Sequence, residues 1–538
     1  MTKIWKIINK YRVSIILVGL VLFGAGLRLY QLSSLPSGLN RDEAALAYNA
    51  ALLKQTGKDE WGRTWPIALE SFGDYKLPGY PYILIASYQI FGENDFAVRL
   101  PAAVAGTVLI VIGYIFARQV LKFQQPTALA IAALICFQPV FFFYSRMAWE
   151  ATVGLAFFVT GLCFLFAETR GDKRFLKMGI GLLLLLLAIL TYNTPLLLLP
   201  FISLALIIYD GVKNWRNWLL PVGGIGLIFV IGFSTFGSIS KQKSGITIFN
   251  DETIWRQSVV EYEFYQGPAR KVLANRFVFF GKLIGQRYLA SWSPVFLVEK
   301  GGQHPWHNLP GFGHLYWTTY VLALVGTGLL IKRIYLTQQK DERRRALTLL
   351  FLLLTSLAPA VITVDAPHAT RSLFFFFLLM MVAGGTVEAL YVVSVEINHK
   401  ALQQKRVVFL AVLIGIGICV ESQHYLTTYF TQYPQLSRSI LQEGLLPVLE
   451  KTEAELGQKS DQVAIVDPDG YLYIQVAWLL QLPPDQFFST IDRHLPDRIG
   501  FRYGYRLGRY RFIAHRPDRQ PADKRIIEWS AEHGWWSE

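Results

Sequence analysis

Two short charged motifs carry side chains suited to proton and phosphate chemistry. Asn40-Arg41-Asp42-Glu43 sets two carboxylates at the head of a run in which Leu46, Ala50 and Leu53 recur at helical spacing. A carboxylate in a partly desolvated pocket can take a proton from an acceptor hydroxyl or amine. Asp42 and Glu43 are therefore the candidate catalytic residues, with Asp42 as general base. The same residues also read as a capping box, with Asn40 as N-cap, Glu43 three residues on and Asp42 complementing the helix dipole. The second motif is Gly73-Asp74-Tyr75-Lys76-Leu77-Pro78. Lys76 is a compact point charge able to donate to a phosphate oxygen. Asp74 and Tyr75 beside it are candidate lining of a substrate pocket, and a solvated turn is the alternative reading of the motif.

Further candidates lie later in the chain. Pro367-His368-Ala369-Thr370-Arg371 precedes an apolar run. A helix N-terminus attracts anions and Arg371 adds a guanidinium fork, so Arg371 and His368 are assigned to a phosphate group, with snorkelling toward headgroups as the other reading of Arg371. Arg146 could join them or form an i, i+4 ion pair with Glu150. Tyr192 and His307 are assigned to the acceptor or substrate pocket. His304, His307 and His314 match no HExxH-type spacing, and no metal ligand set is assigned. Cys136, Cys163 and Cys419 lie inside apolar runs and read as small hydrophobes.

These motifs interrupt a chain of 538 residues that is 53% hydrophobic and 17% charged. Apolar runs long enough to cross a bilayer occupy about 13–32, 97–117, 126–144, 150–167, 176–191, 195–209, 218–236, 314–331, 346–363, 372–394 and 407–421. The expected fold is a mainly α, polytopic membrane bundle of about eleven spans. The net charge of +14 is explained by Lys and Arg on the cytoplasmic loops rather than by a nucleic-acid partner. Lys3, Lys6, Lys10 and Arg12 place the N-terminus in the cytoplasm. The polar motifs then fall on the extracytoplasmic side of a multi-pass plasma-membrane protein. Residues 1–421 form the transmembrane domain, whose first outer loop, 33–96, ends in an interfacial helix from Tyr80 to Phe91. Residues 422–538 have a soluble composition. Within them Gln462–Asp467 and Arg509–His515 read as strands and Tyr471–Leu482 as a helix, giving a small extracytoplasmic α/β domain.

The Asp-Glu pair, the charged knot ending in Lys76-Leu77-Pro78 and the interfacial helix resemble the C-type fold of polyprenyl-phosphate-sugar-dependent glycosyltransferases. Asp95-Phe96-Ala97-Val98-Arg99-Leu100-Pro101-Ala102, Ser145-Arg146, residues 294–313 and residues 367–371 are similar to bacterial members of the protein mannosyltransferase (family 39) and lipid A aminoarabinose transferase group. The resemblance covers roughly residues 10–420, and more loosely the tail. It implies that Asp42 is the catalytic carboxylate and that Lys76 contacts donor phosphate. The family often has Lys or His directly before Pro-Pro, whereas Leu77 and Gly79 flank Pro78 here. The implied donor is a polyprenyl-phosphate-linked sugar. The implied acceptor is a protein, lipid or cell-wall glycan, with membrane lipids as surroundings. No cofactor is obligatory and a divalent cation is compatible. The alternatives are a lipid or glycan transporter and a non-catalytic scaffold. A transporter would tend to place ionisable sites near mid-membrane in repeated halves.

Overall fold

The computed structural model describes residues 2–167, 173–243, 247–264, 275–396, 401–457, 462–497, 500–516 and 525–538. The chain forms two compact units: Met1–Arg28, Ala103–Ser145 and Ala151–Thr427 in the first, and Leu29–Ala102, Arg146–Glu150 and Thr428–Glu538 in the second.

The first unit is a helical bundle. Every segment read as a span from the sequence is helical. Among the described residues, eight helices are long and apolar enough to cross a membrane, and three shorter apolar ones span Gln125–Phe137, Glu150–Phe166 and Thr194–Asp210. The polytopic fold class therefore stands. Between the apolar runs 218–236 and 314–331 lie the helices Glu252–Phe264 and Arg276–Trp292. Ile248, Ile254 and Phe280 form a small apolar core there. Arg28 and Glu388 are charged residues within apolar helices of this bundle. Arg28 donates to the backbone oxygens of Gly24 and Cys136. Glu388 accepts from the Gln124 N–H and the Thr127 hydroxyl at the start of the Gln125–Phe137 helix, satisfying donors a helix start leaves open. Cys136 and Cys163 are buried as expected, but Cys419 is exposed.

The second unit joins the first loop to the tail. Asn40 caps the Arg41–Thr56 helix with the full capping box, and Gly57 closes it in the left-handed conformation at φ 70°. This helix is not amphipathic in use: Glu43 through Leu53 are all buried. It is enclosed on all sides, as an all-round apolar helix must be. The Asp74–Lys76 segment, read as a turn, is a strand. Strands β1 (Leu69–Ser71) and β2 (Asp74–Lys76) pair antiparallel, with Ser71 opposite Asp74 and Leu69 opposite Lys76. Phe72 and Gly73 turn between them with positive φ. A Cβ on Gly73 would lie 2.4 Å from the Gly500 carbonyl oxygen, so a tail loop sits directly on the hairpin tip. The Arg502 N–H also donates to the Phe72 carbonyl at 3.1 Å. The Gly79–Phe91 helix follows, as expected from Pro81 in its first turn.

The tail carries a six-stranded mixed sheet of β3 (Val463–Val466), β4 (Ile491–Arg493), β5 (Gly504–Leu507), β6 (Tyr510–Ile513), β7 (Arg525–Ser530) and β8 (Gly534–Ser537), in the order β4-β5-β6-β3-β7-β8. Strand β3 runs parallel to both neighbours. The tail helix Leu472–Leu479 packs on the Arg41–Thr56 helix. Gln475 donates to the Leu39 carbonyl, and Tyr48 donates to that of Leu482. Glu60 is fully buried. It accepts from Tyr473 at 2.8 Å, Arg493 at 3.1 Å and Asn49 at 3.2 Å. The Arg493 guanidinium also lies 4.1 Å from the Trp61 ring centre. Burial raises the Glu60 carboxyl and the Arg493 charge opposes it.

Candidate active site

In the second unit, Asn40 Oδ1 accepts from the N–H groups of Asp42 and Glu43 at 2.8 and 3.0 Å. The cap holds the backbone of residue 42 and leaves its carboxylate to other partners. Asp42 Oδ1 accepts from Lys76 Nζ at 2.8 Å, and Asp74 Oδ2 lies 3.1 Å from the same nitrogen. The strand explains this grouping. Residues i and i+2 share a face, so Asp74 and Lys76 point together and Tyr75 points the other way. Tyr75 accordingly donates to Glu70 at 2.9 Å, and the structure does not bring it to the Asp42–Lys76 pair. The side chains of Lys76, Asp42 and Asp74 are 12%, 20% and 26% exposed, so the group is sheltered but reachable from solvent. Burial would lower the Lys76 pKa, but the charges of Asp42, Asp74 and Glu150 outweigh it and hold the ammonium charged. An ammonium has three N–H donors, and the two carboxylates account for two of them. Arg41, next in the chain to Asp42, lies 4.2 Å from the Tyr471 ring centre, which ties the helix start to the tail.

Glu43 has different surroundings. It is 1% exposed. Its Oε2 accepts from the Asn40 backbone and side-chain nitrogens. Its Oε1 accepts from Arg99 Nε at 3.1 Å and from the Ala148 N–H at 2.7 Å. Arg99 is fully buried and also donates to the carbonyls of Leu32, Pro36 and Gly38. Arg99 was quoted in the 95–102 motif without a role. The buried pair knots the entry to the loop, the start of the Arg41–Thr56 helix and residue 148 together. Removing one partner of a buried pair leaves an uncompensated charge. Arg99→Met is thus expected to destabilise the protein by about 3–5 kcal/mol. Thermal unfolding of detergent-purified protein, followed by size-exclusion recovery, checks this. An unchanged melting profile would show that the pair is not structural.

Arg146 is fully buried. Its Nε donates to the Tyr429 hydroxyl at 3.0 Å, and its Nη2 donates to the Leu35 carbonyl at 2.8 Å. These partners come from the first loop and the tail, which makes Arg146 a tie between segments.

The other candidates belong to the first unit. Arg371 Nη1 donates to Asp365 Oδ1 and, at 2.9 Å, to the Thr363 hydroxyl. His304 Nε2 and His368 Nε2 lie 3.5 and 3.3 Å from Asp365 Oδ2. His307 Nδ1 meets the Tyr144 hydroxyl at 3.0 Å, with the two rings stacked. Burial, reinforced by the neighbouring histidines and Arg371, keeps His307 well below the ordinary imidazole range. Burial and then Arg371 lower His368 to about 3, so both rings are neutral at pH 7. Burial would raise Asp365, but its His304 bond and the Arg371 charge outweigh it and keep it ionised. Tyr192 packs closely on the Glu150–Phe166 helix at Gly154, in a narrow cleft with Thr370 and Leu373. His314 packs against Phe296 and Phe376. Asp365, which orders this group, was not singled out in the sequence. Its proximity to Pro367-His368 was the available signal. The atoms of His304, Asp365 and His368 lie within 4.8 Å of one another, so this group is compatible with a divalent cation.

The first unit is a multi-helix bundle, and the second carries a capped acidic helix bonded to a lysine-bearing hairpin. Residues 76–238 match the family described as dolichyl-phosphate-mannose-protein mannosyltransferase. The fold is similar to that of the archaeal oligosaccharyltransferase AglB from Archaeoglobus fulgidus in complex with an inhibitory peptide and a dolichol-phosphate. The two share 14% identity, 88% of this chain and 64% of that one are covered, and the TM-score is 0.51. The Archaeoglobus fulgidus oligosaccharyltransferase in complex with Zn and sulfate gives 12% identity, 86% and 61% coverage and a TM-score of 0.50. ArnT from Cupriavidus metallidurans in the apo state gives 13%, 87% and 84%, with a TM-score of 0.49. The chain thus spans less than two thirds of the length of the oligosaccharyltransferase chains it matches. No curated protein sequence matches it.

Proposed function

We propose that the chain is an integral-membrane glycosyltransferase that moves a sugar from a polyprenyl-phosphate donor to an acceptor hydroxyl or amine on the extracytoplasmic face. The observation that carries this reading is the 2.8 Å bond between Lys76 and Asp42, with Asp74 on the same ammonium. A base and a phosphate-binding cation stand side by side, as transfer from a lipid phosphate requires. Asp42 accepts the proton of the acceptor as its oxygen or nitrogen attacks the anomeric carbon. The bond from that carbon to the phosphate oxygen breaks, its electron pair stays on the phosphate, and one displacement inverts the sugar. Lys76 stabilises the charge that develops on the leaving phosphate, and Asp74 holds Lys76 in place. Glu43 and Arg146 act by positioning, since their polar atoms are committed to buried protein partners. Arg371 keeps the phosphate assignment made from its guanidinium and its place before an apolar run. The family match over residues 76–238 supports the reaction class, and the dolichol-phosphate named with AglB supports the donor class.

The test is mass analysis of surface glycans, glycolipids and glycoproteins in a strain lacking the chain. One sugar-bearing species is expected to disappear, to return with the wild-type chain and to stay absent with Asp42→Asn. A glycan profile identical in all strains would refute the reading.

A further inference from the structure

The His304–Asp365–His368 group brings two imidazoles and a carboxylate together, their ligand atoms within 4.8 Å of one another. Two imidazole Nε2 atoms converge on a single carboxylate oxygen, Asp365 Oδ2, at 3.3 and 3.5 Å. Charge-assisted nitrogen–oxygen bonds close to about 2.7–2.9 Å, so both contacts are long for that interaction. They are the right length for another one. Ligands bound to a tetrahedral ion at about 2.0–2.2 Å lie about 3.3–3.6 Å apart along its edges, which the two carboxylate–imidazole edges match, and the two imidazole nitrogens lie within 4.8 Å of each other. The other oxygen of the same carboxylate is held by Arg371 Nη1, and Arg371 is braced in turn by the Thr363 hydroxyl. An outer partner of this kind fixes a carboxylate as a one-oxygen ligand. The three ligands also differ in accessibility. The His368 side chain is 9% exposed and that of His304 is 37% exposed, so an ion can reach the group from the His304 side. Two imidazoles and one carboxylate are a donor set that suits zinc.

We infer that His304, Asp365 and His368 form a site for a divalent cation of the zinc class. The ion clips the loop bearing His304 to the segment bearing Arg371. With three protein ligands, a fourth position stays open to water or another oxygen ligand. His368 acts as a metal ligand here rather than as a direct phosphate contact. The loop end is prepared for this, because Asn308 Nδ2 donates to the Lys300 and Phe312 carbonyls and fixes the loop's shape around His304. The site escaped the sequence because its ligands come from segments 61 residues apart (304 and 365) and share no short motif.

The full chain, purified in detergent and stripped with chelator, is titrated with zinc alone against a chromophoric competitor, and bound metal is counted by mass spectrometry. One tight zinc per chain is expected, with affinity lowered at least about 100-fold by His304→Ala and by His368→Ala. Undiminished binding in both variants, or no stoichiometric zinc in the wild type, overturns the site. Cobalt loading of His304→Cys guards against variants that merely misfold. A thiolate-to-cobalt charge-transfer band is expected in protein that elutes as folded, and its absence there also overturns the assignment. These readouts do not depend on sugar transfer, so failure of the metal site and failure of the transferase reading are separately visible.

Discussion

Asp42→Asn is expected to lower the transfer rate about 10²–10⁴-fold, the range over which a positioned general base contributes. The loss should fall mainly on kcat. The substitution keeps the shape of the side chain, and the Asn40 cap binds the backbone of residue 42, not its carboxylate. The capped helix is also buried from Glu43 to Leu53, independently of the partly exposed Asp42 side chain. Unchanged melting with lost transfer would therefore report chemistry. Steady-state kinetics with a labelled lipid donor, alongside a melting curve, make the comparison. Near-wild-type transfer by folded Asp42→Asn would end the base assignment.

Lys76→Met should cost about 10²–10³ in transfer rate, the scale for removing one preorganised donor from a developing anion. It should also act on the base. Asp42 and Asp74 share the Lys76 ammonium, and without it two carboxylates face each other with no cation between them. The repulsion between them should leave Asp42 less well placed as a base, adding to the loss of rate. Lys76→Arg should keep the charge and recover part of the rate, because a planar fork does not reproduce a compact ammonium. Transfer rates of the three proteins with a labelled lipid donor resolve this. A wild-type rate in folded Lys76→Met would remove Lys76 from the site.

The parts of this molecule that were legible in its sequence are those governed by local rules. Asn40 with Glu43, and Gly57 at the far end, announce the helix between them because caps act over three or four residues. The apolar runs announce the bundle because length and hydropathy suffice. The hidden parts depend on contacts between distant positions. Asp74-Tyr75-Lys76 is short and charged, and only its pairing with Leu69-Glu70-Ser71 makes it a strand. Glu43 looked like half of a catalytic pair until Arg99, 56 residues away, took its Oε1. The tail reads as a soluble domain by composition, yet Tyr473 and Arg493 bind Glu60 and Gly500 sits on Gly73. The three loop histidines suggested no metal motif, since the residue that organises two of them, Asp365, belongs to another segment.

The account turns on whether this chain performs transfer at all, and a vesicle-free assay addresses that directly. Purified protein in detergent is mixed with a polyprenyl-phosphate donor labelled in its sugar and with acceptor extracted from the deletion strain. The prediction is label on the acceptor and an equal amount of free polyprenyl phosphate, both abolished by Asp42→Asn. Intact donor in detergent, together with movement of that donor across proteoliposomes, would contradict the transferase and establish a transporter instead.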